Sequence, residues 1–256
     1  MRIAIFNQKG GVGKTTTALN LAAAMARQGG KPLLLALDPQ CHRTSIHGTP
    51  PKDADRSLFG FYSGARPLDE LAVPWVNIGR LIPSHQFLIK ADAMFGRDSA
   101  ILTKLRDGMD LLDETIPGNA AQHTLIDCCP YVGVLSLNAL FASELVLIPI
   151  STDYLSMQAA EHMTQTLAIV EPVLKRRIQR RYVLTRFDRR RKMSLEVLRQ
   201  LLERYGDEVC TTVISENSAI AESPSRNLDV FSFNASSVGA KNYAALHEEL
   251  RSQRFL

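Results

Sequence analysis

MRIAIFNQKGGVGKTTTALN, residues 1–20, decides the fold. Arg2–Phe6 (RIAIF) is a short apolar run that predicts a buried strand. A loop rich in glycine follows, and Lys14–Gln28 then carries Leu19, Leu21, Ala22, Met25 and Ala26 at helical spacing until Gly29-Gly30 stops it. Strand, glycine loop, Lys-Thr and helix stand in the order that an anion cradle requires. Backbone N–H groups of Gly10, Gly11, Val12 and Gly13, together with the helix N-terminus, can then converge on phosphate. Glycine lets the loop curl close to the anion with no Cβ in the way. Lys14 is placed to reach the β- and γ-phosphates of a nucleotide, Thr15 to hold Mg²⁺ through its hydroxyl, and Thr16 to add a phosphate hydrogen bond. A glycine turn that merely starts a helix would not bring all these parts together.

Outward from this loop the pattern alternates strand and helix. Leu33–Leu37 (LLLAL), Val76–Ile82, Thr124–Ile126, Leu145–Ile150 and Arg181–Thr185 predict strands, with Val213-Ile214 as a last one. Helices are predicted around Leu135–Ala142, over Leu155–Leu174 and Leu195–Tyr205, and as a closing element at Val238–Ser252. The stretch from Thr49 to Trp75, rich in Pro, Gly and charge, predicts an irregular excursion. Apolar strands separated by helices imply an α/β fold: a mostly parallel central sheet with helices on both faces. Ligands of such sheets bind beyond the carboxyl ends of the strands, where the polar motifs lie here. No repeat or low-complexity linker divides residues 1–256, which predicts a single domain.

Composition limits the remaining classes. No apolar run reaches the ~18–20 residues that span a bilayer, and residues 1–7 lead straight into the loop with no signal peptide. Cys41, Cys128, Cys129 and Cys210 show neither CxxC spacing nor a zinc pattern, so a reduced cytoplasmic protein is expected. The net charge of +4 by itself does not argue for nucleic acid.

One detail departs from the ordinary phosphate-loop motif: position 8 is Gln8 where glycine is usual, and Lys9 precedes the paired glycines. NQKGGVGKTT, residues 7–16, resembles the deviant Walker A motif of the ParA/MinD group of P-loop ATPases, SIMIBI-type NTPases. The resemblance implies that Lys9 reaches across a dimer interface to the partner's nucleotide, much as an arginine finger does. ATP would then join two subunits where ADP would not. Asp38 in LLLALDPQ resembles the family's switch aspartate, which positions the attacking water, and Asp127 in IDCCP its Walker B carboxylate, which holds Mg²⁺ through water. Either aspartate alone could be a turn residue, but both end apolar strands. Ala36 stands where the family often has a second aspartate and Cys129 where it has proline. Neighbouring Cys128 and Cys129 leave a metal-cluster or redox ATPase as one alternative, although the second, separate cysteine of the nitrogenase iron-protein relatives is missing.

The resemblance covers nearly the whole chain, including ASELVLIPISTDYLSMQAA (142–160) and AESPS (221–225) before the closing helix. With the loop beginning at residue 9, no N-terminal helix-turn-helix is expected, as in small Soj-like ParA proteins. No basic amphipathic segment follows the closing helix, which disfavours the other alternative, a membrane-bound MinD-like division-site ATPase. DNA is the expected surface. KRRIQRRYVLTRFDRRRK (175–192) has ten basic residues against the single acid Asp188. Lys175, Arg176, Arg177, Arg189, Arg190, Arg191 and Lys192 form two clusters flanking one strand, which could converge on one edge and bind DNA without regard to sequence. Arg190 matches the family's DNA-contacting arginine in the turn after this strand. A second such arginine falls on Ala219, and the family's PRN segment is Ser215-Glu216-Asn217, with Asn217 as the remaining nucleotide-site candidate. The resemblance therefore implies an ATP-bound homodimer on nucleoid DNA, a ParB-like partner that stimulates hydrolysis, and a cargo that is moved or segregated.

Overall fold

Side-chain alternation along the strands builds two apolar layers. On β1 (Arg2–Ile5), Ile3 and Ile5 face one way and Ala4 the other. The same division runs through β2 (Leu33–Ala36), where Leu34 sides with Ile3, and Leu33 and Leu35 with Ala4. The first layer is closed by Leu19 and Ala22 of the Lys14–Arg27 helix and by Leu246 and Leu250 of the Val238–Ser252 helix. The second is closed by Leu135 and Leu140 of the Val134–Ala142 helix, Met163 and Leu167 of the Ser156–Leu174 helix, and Val197 and Leu201 of the Lys192–Tyr205 helix.

The computed structural model describes residues 1–115 and 123–256. Among them the remaining strands are β3 (Val73–Trp75), β4 (Gly79–Ile82), β5 (Thr124–Asp127), β6 (Leu145–Ser151) and β7 (Gln179–Thr185). They form one seven-stranded sheet in the order β3-β4-β2-β5-β1-β6-β7, parallel except for β3. The expected α/β class with a mostly parallel sheet is what the chain adopts.

Three segments differ from the sequence reading. Val76–Ile82 is not one strand: β3 and β4 form an antiparallel hairpin whose turn has Asn77 at φ 64° and Gly79 at φ 148°. Gly79 is required there, since a Cβ would lie 2.2 Å from the Pro32 carbonyl oxygen. Val76 sits in the turn, 80% exposed. Val213-Ile214 is no strand either: Ile214 N–H donates to the Leu184 carbonyl on β7 (2.8 Å), but the segment around it forms only isolated parallel bridges, Val209 with Tyr182 and Ser215 with Phe187 just past β7. The excursion after residue 49 contains a helix, Leu58–Ser63, capped by the Ser57 hydroxyl accepting from Phe59 N–H.

This order fixes the site. Each of β2, β5, β1, β6 and β7 ends at the same edge, about 4.8 Å from its neighbour. Asp38, Asp127, the glycine loop, Asp153 and Arg186 therefore follow one another along that edge.

Candidate functional site

The glycine loop leaves β1 at Phe6, whose N–H donates to the Leu147 carbonyl on β6 (3.2 Å). Asn7, fully buried, donates to the Pro149 carbonyl (2.8 Å) and accepts from Lys9 N–H (2.9 Å), which fixes the first bend. Gly11 and Gly13 are left-handed, at φ 74° and 88°. Open space lies around both Gly10 and Gly11, so their backbones border a cavity. On the other side Thr185 Oγ1 donates to the Val12 carbonyl (2.9 Å) and ties the loop to β7. The loop is thus held at three points before any ligand arrives.

A cleft of about 710 Å³ opens above it, within the range of small-molecule sites. Gly10, Gly11, Gly13, Lys14, Thr15, Thr16 and Asp38, all among the expected site residues, line it. Val12 does not: its side chain is 1% exposed and faces the core, leaving only its backbone for a ligand. Asn217 is also absent from the lining, because its side chain caps the Ser218–Glu222 helix by accepting from Ala219 N–H (3.1 Å). Pro224, Ser225, Asn227 and Arg186 form the wall that the sequence reading sought at residue 217.

Lys14 is 7% exposed, and its ammonium donates to the Lys9 carbonyl (3.0 Å). Among the described residues no carboxylate comes within ion-pair distance of it. Burial pulls its pKa down, and the negative charges of Asp127 and Asp38 only partly oppose this. A buried ammonium with spare donors, at the mouth of a glycine cradle, suits an anionic ligand. Thr15 Oγ1 donates to Asp127 Oδ2 (2.8 Å), so a hydroxyl and a carboxylate share one point beside the loop. Hard oxygen donors of this kind fit Mg²⁺. Across the cleft Asp38 is fixed through its backbone: its carbonyl accepts from Ser84 Oγ (2.6 Å), and Oδ1 accepts from Gln40 N–H (2.9 Å).

Lys9 points away from the cleft. Its ammonium pairs with Asp153, just beyond β6, and lies 3.4 Å from Ser151 Oγ. Burial would raise the Asp153 pKa, but Lys9 and the Ser151 hydroxyl outweigh it and hold the carboxyl below its ordinary value. A groove of about 370 Å³ adjoins Lys9, and Tyr131, Val132, Tyr154 and Leu155 are all exposed nearby, Tyr154 at 86%. The sequence reading missed Asp153, although STDYL follows the most apolar strand as directly as Asp38 follows its own.

The basic clusters lie on one edge of the sheet but at opposite ends of β7, about 20 Å apart for a seven-residue strand. They do not converge. Arg176 donates to the Ser143 carbonyl (2.7 Å), and Arg177 pairs with Glu208 (2.6 Å). Beyond the other end Arg190 and Arg191 share Asp188 (2.9 and 3.5 Å), and Arg191 also reaches Glu216 (3.1 Å). Lys175, Arg189 and Lys192 have no acidic partner among the described residues. Solvent screens exposed pairs of this sort, so they are weak enough for phosphate to displace.

Cys128 and Cys129 are both buried, directed at the Ile126 and Tyr131 carbonyls (3.6 and 3.8 Å). Burial pushes the Cys129 thiol up to about 12. Among the described residues no group of three or more His, Cys, Asp or Glu side chains could hold a metal ion. No described helix is long and apolar enough to cross a membrane.

Fold and cleft together define a P-loop ATPase. Residues 1–180 match the family model of the AAA domain. The chromosome-partitioning ATPase Soj of Thermus thermophilus is 36% identical over 98% of this chain and 96% of its own length. The chromosome partitioning protein ParA of Caulobacter vibrioides is 31% identical over 98% and 94%. Among solved structures, cobyrinic acid a,c-diamide synthase from Mycobacterium smegmatis with bound ATP analog and magnesium superposes with a TM-score of 0.84. It is 27% identical over 99% of this chain and 94% of that one. The chain belongs to the Soj/ParA family of partition ATPases.

Proposed function

We propose that this ParA-type ATPase binds ATP with Mg²⁺ in the glycine-loop cleft, forms a face-to-face dimer in that state, and holds nucleoid DNA non-specifically in the cytoplasm. Buried Lys14, which has no carboxylate within ion-pair distance among the described residues, carries this reading. A triphosphate supplies the charge it lacks, and the backbone N–H groups of Gly10 to Gly13, with Thr16, take the remaining phosphate oxygens. Magnesium, when bound, offsets phosphate charge, and Thr15 and Asp127 hold it. Asp38, kept in place by Ser84 and Gln40, orients water for attack on the γ-phosphate.

Lys9 belongs to a second copy's nucleotide. The exposed Tyr131, Val132, Tyr154 and Leu155 around it supply apolar surface for such a face. In the dimer Lys9 exchanges Asp153 for the partner's phosphates, so a cation arrives only when a γ-phosphate is present on both sides. DNA binding falls to Arg189, Arg190, Arg191 and Lys192, on the same end of the sheet as the nucleotide, with Lys175, Arg176 and Arg177 as a separate patch. Doubling in a dimer multiplies these contacts. A ParB-like partner stimulates hydrolysis and releases the dimer, and the cycle positions or segregates a cargo.

A mobility-shift titration with ATP, ADP and no nucleotide, repeated across salt, tests this. Binding with ATP only, falling steeply with salt, is expected. DNA binding that ignores the nucleotide, or none at all from an active ATPase, would refute the DNA arm.

A further inference from the structure

The loop from Cys128 to Gly133 joins β5, which ends at Asp127, to the Val134–Ala142 helix. Its middle faces two ways. Pro130 and Tyr131 line the nucleotide cleft, and together with Val132 they also line the groove beside Lys9. Tyr131 and Val132 are 44% and 48% exposed, so their own surroundings hold them only on one side and the ends of the loop decide where they stand. One end continues from β5. The other is fixed from far along the chain: Val134 N–H donates to Asp92 Oδ1 (2.6 Å) across 42 residues.

Two details make this bond a tie between elements rather than an ordinary helix cap. The first turn already has a local partner, since Ser136 Oγ accepts from Gly133 N–H (2.9 Å). Gly133 itself is at φ −164°, extended backbone that any residue adopts, so glycine is not needed there for conformation. It is needed for space: the three nearest atoms that a Cβ would meet all belong to the Asp92 carboxyl, with Oδ2 at 2.6 Å. Asp92 is in turn a firm anchor. Its Ala91–Phe95 helix is seated through buried Leu88 and Ala91. Further back, buried Ser84 donates from its N–H to Thr44 Oγ1 (3.0 Å) and from its Oγ to the Asp38 carbonyl (2.6 Å). One segment, 84–92, thus holds Asp38 at one end and the Tyr131-Val132 loop at the other.

We propose that Asp92 is a positioning residue for the nucleotide-dependent dimer: through Val134 it keeps Tyr131 and Val132 where they meet a second copy of the chain. This rests on the reading of that face given above. Without the tie each loop must be ordered as the dimer forms, a cost incurred once per subunit.

Sedimentation with a non-hydrolysable ATP analogue and Mg²⁺, beside equilibrium binding of fluorescent ADP, tests it on Asp92→Ala, Gly133→Ala, the double variant and Asp92→Asn. The two single alanine variants should each weaken the dimer association constant by about 25-fold, about fivefold per subunit, with ADP affinity unchanged. The double variant should lose no more than either single one, because the added methyl at 133 acts only by displacing the Asp92 carboxylate. Asp92→Asn keeps an acceptor for Val134 N–H and should recover most of the loss. Gly133→Ala and Asp92→Asn keep the comparison decisive if Asp92→Ala melts below wild type. An unchanged dimer constant, additive losses in the double variant, a parallel loss of ADP affinity, or no recovery with asparagine would each overturn the proposal. Wild-type protein that stays monomeric with the analogue would instead sink the dimer face on which it rests.

Discussion

The Lys9 ammonium is held by the Asp153 carboxylate of its own chain, beside Ser151. A lysine proposed to serve a neighbour's nucleotide thus has an alternative partner at home. The pair is half open to solvent, so its contribution is about 1 kcal/mol or less. That is small enough for a polyphosphate to overcome and large enough to bias the resting state. Asp153→Asn should raise the dimer association constant with a non-hydrolysable ATP analogue by up to about 25-fold in analytical ultracentrifugation, about fivefold for each of the two pairs a dimer would break. Lys9→Ala should bind ATP normally yet fail to dimerise or hydrolyse. Normal turnover in the Lys9 variant, or an unchanged dimer constant in the Asp153 variant, would contradict the exchange.

Lys14→Ala should abolish nucleotide binding. In wild-type protein, nucleotide at ~100 times its Kd should raise Tm by roughly 5–10 °C. Differential scanning fluorimetry should find that rise missing in the variant, whose own Tm should not fall, since a costly buried charge has been removed. A retained ligand shift would place the nucleotide elsewhere.

Asp38→Ala should slow hydrolysis by at least about 100-fold while leaving ATP binding intact. The protein should accumulate as an ATP-bound dimer that stays on DNA through washes that release wild type. Steady-state phosphate release and filter retention of labelled DNA read the two effects. Loss of ATP binding itself would give Asp38 a different role.

Stability should respond to pH through His123 and His247. Burial holds both below the ordinary imidazole value of 6.5, with the N-terminal amine adding to the effect at His123. A folded pKa below the unfolded one means that the unfolded chain takes up protons first. The stabilisation is complete above the unfolded pKa and lost as pH falls from there toward the folded pKa. Chemical denaturation should show wild type weakening as pH drops below 6.5, and His123→Gln or His247→Gln flattening that slope. A slope unchanged in both variants would show that neither histidine is neutralised by folding.

Much of the molecule was legible before the fold was known, and the reasons are local. β1, the glycine loop and the Lys14–Arg27 helix are contiguous, each carrying its own signal, so residues 1–27 read correctly within a residue or two. Asp38 and Asp127 were legible because each ends an apolar strand. What failed depends on contacts distant in sequence. The β3–β4 hairpin turns where Gly79 meets Pro32, and Pro74 sits in an edge strand where a missing N–H is tolerated. Val213-Ile214 has β-branched side chains yet lacks the length to pair beyond isolated bridges. The Lys104–Thr115 helix buries Leu105, Met109 and Leu112 at four- and three-residue spacing, but its polar face masks that stripe in a linear reading. Asp153 meets Lys9, and Arg186 lines the cleft, only because β6 lies beside β1 and β7 beside β6, an order that adjacency along the chain does not reveal.

The most direct test is the subunit count of the purified protein by multi-angle light scattering, with ADP and then with a non-hydrolysable triphosphate plus Mg²⁺. A monomer mass near 28.4 kDa with ADP and twice that with the triphosphate is predicted. The same mass in both states would contradict a γ-phosphate-dependent dimer and, with it, the role given to Lys9.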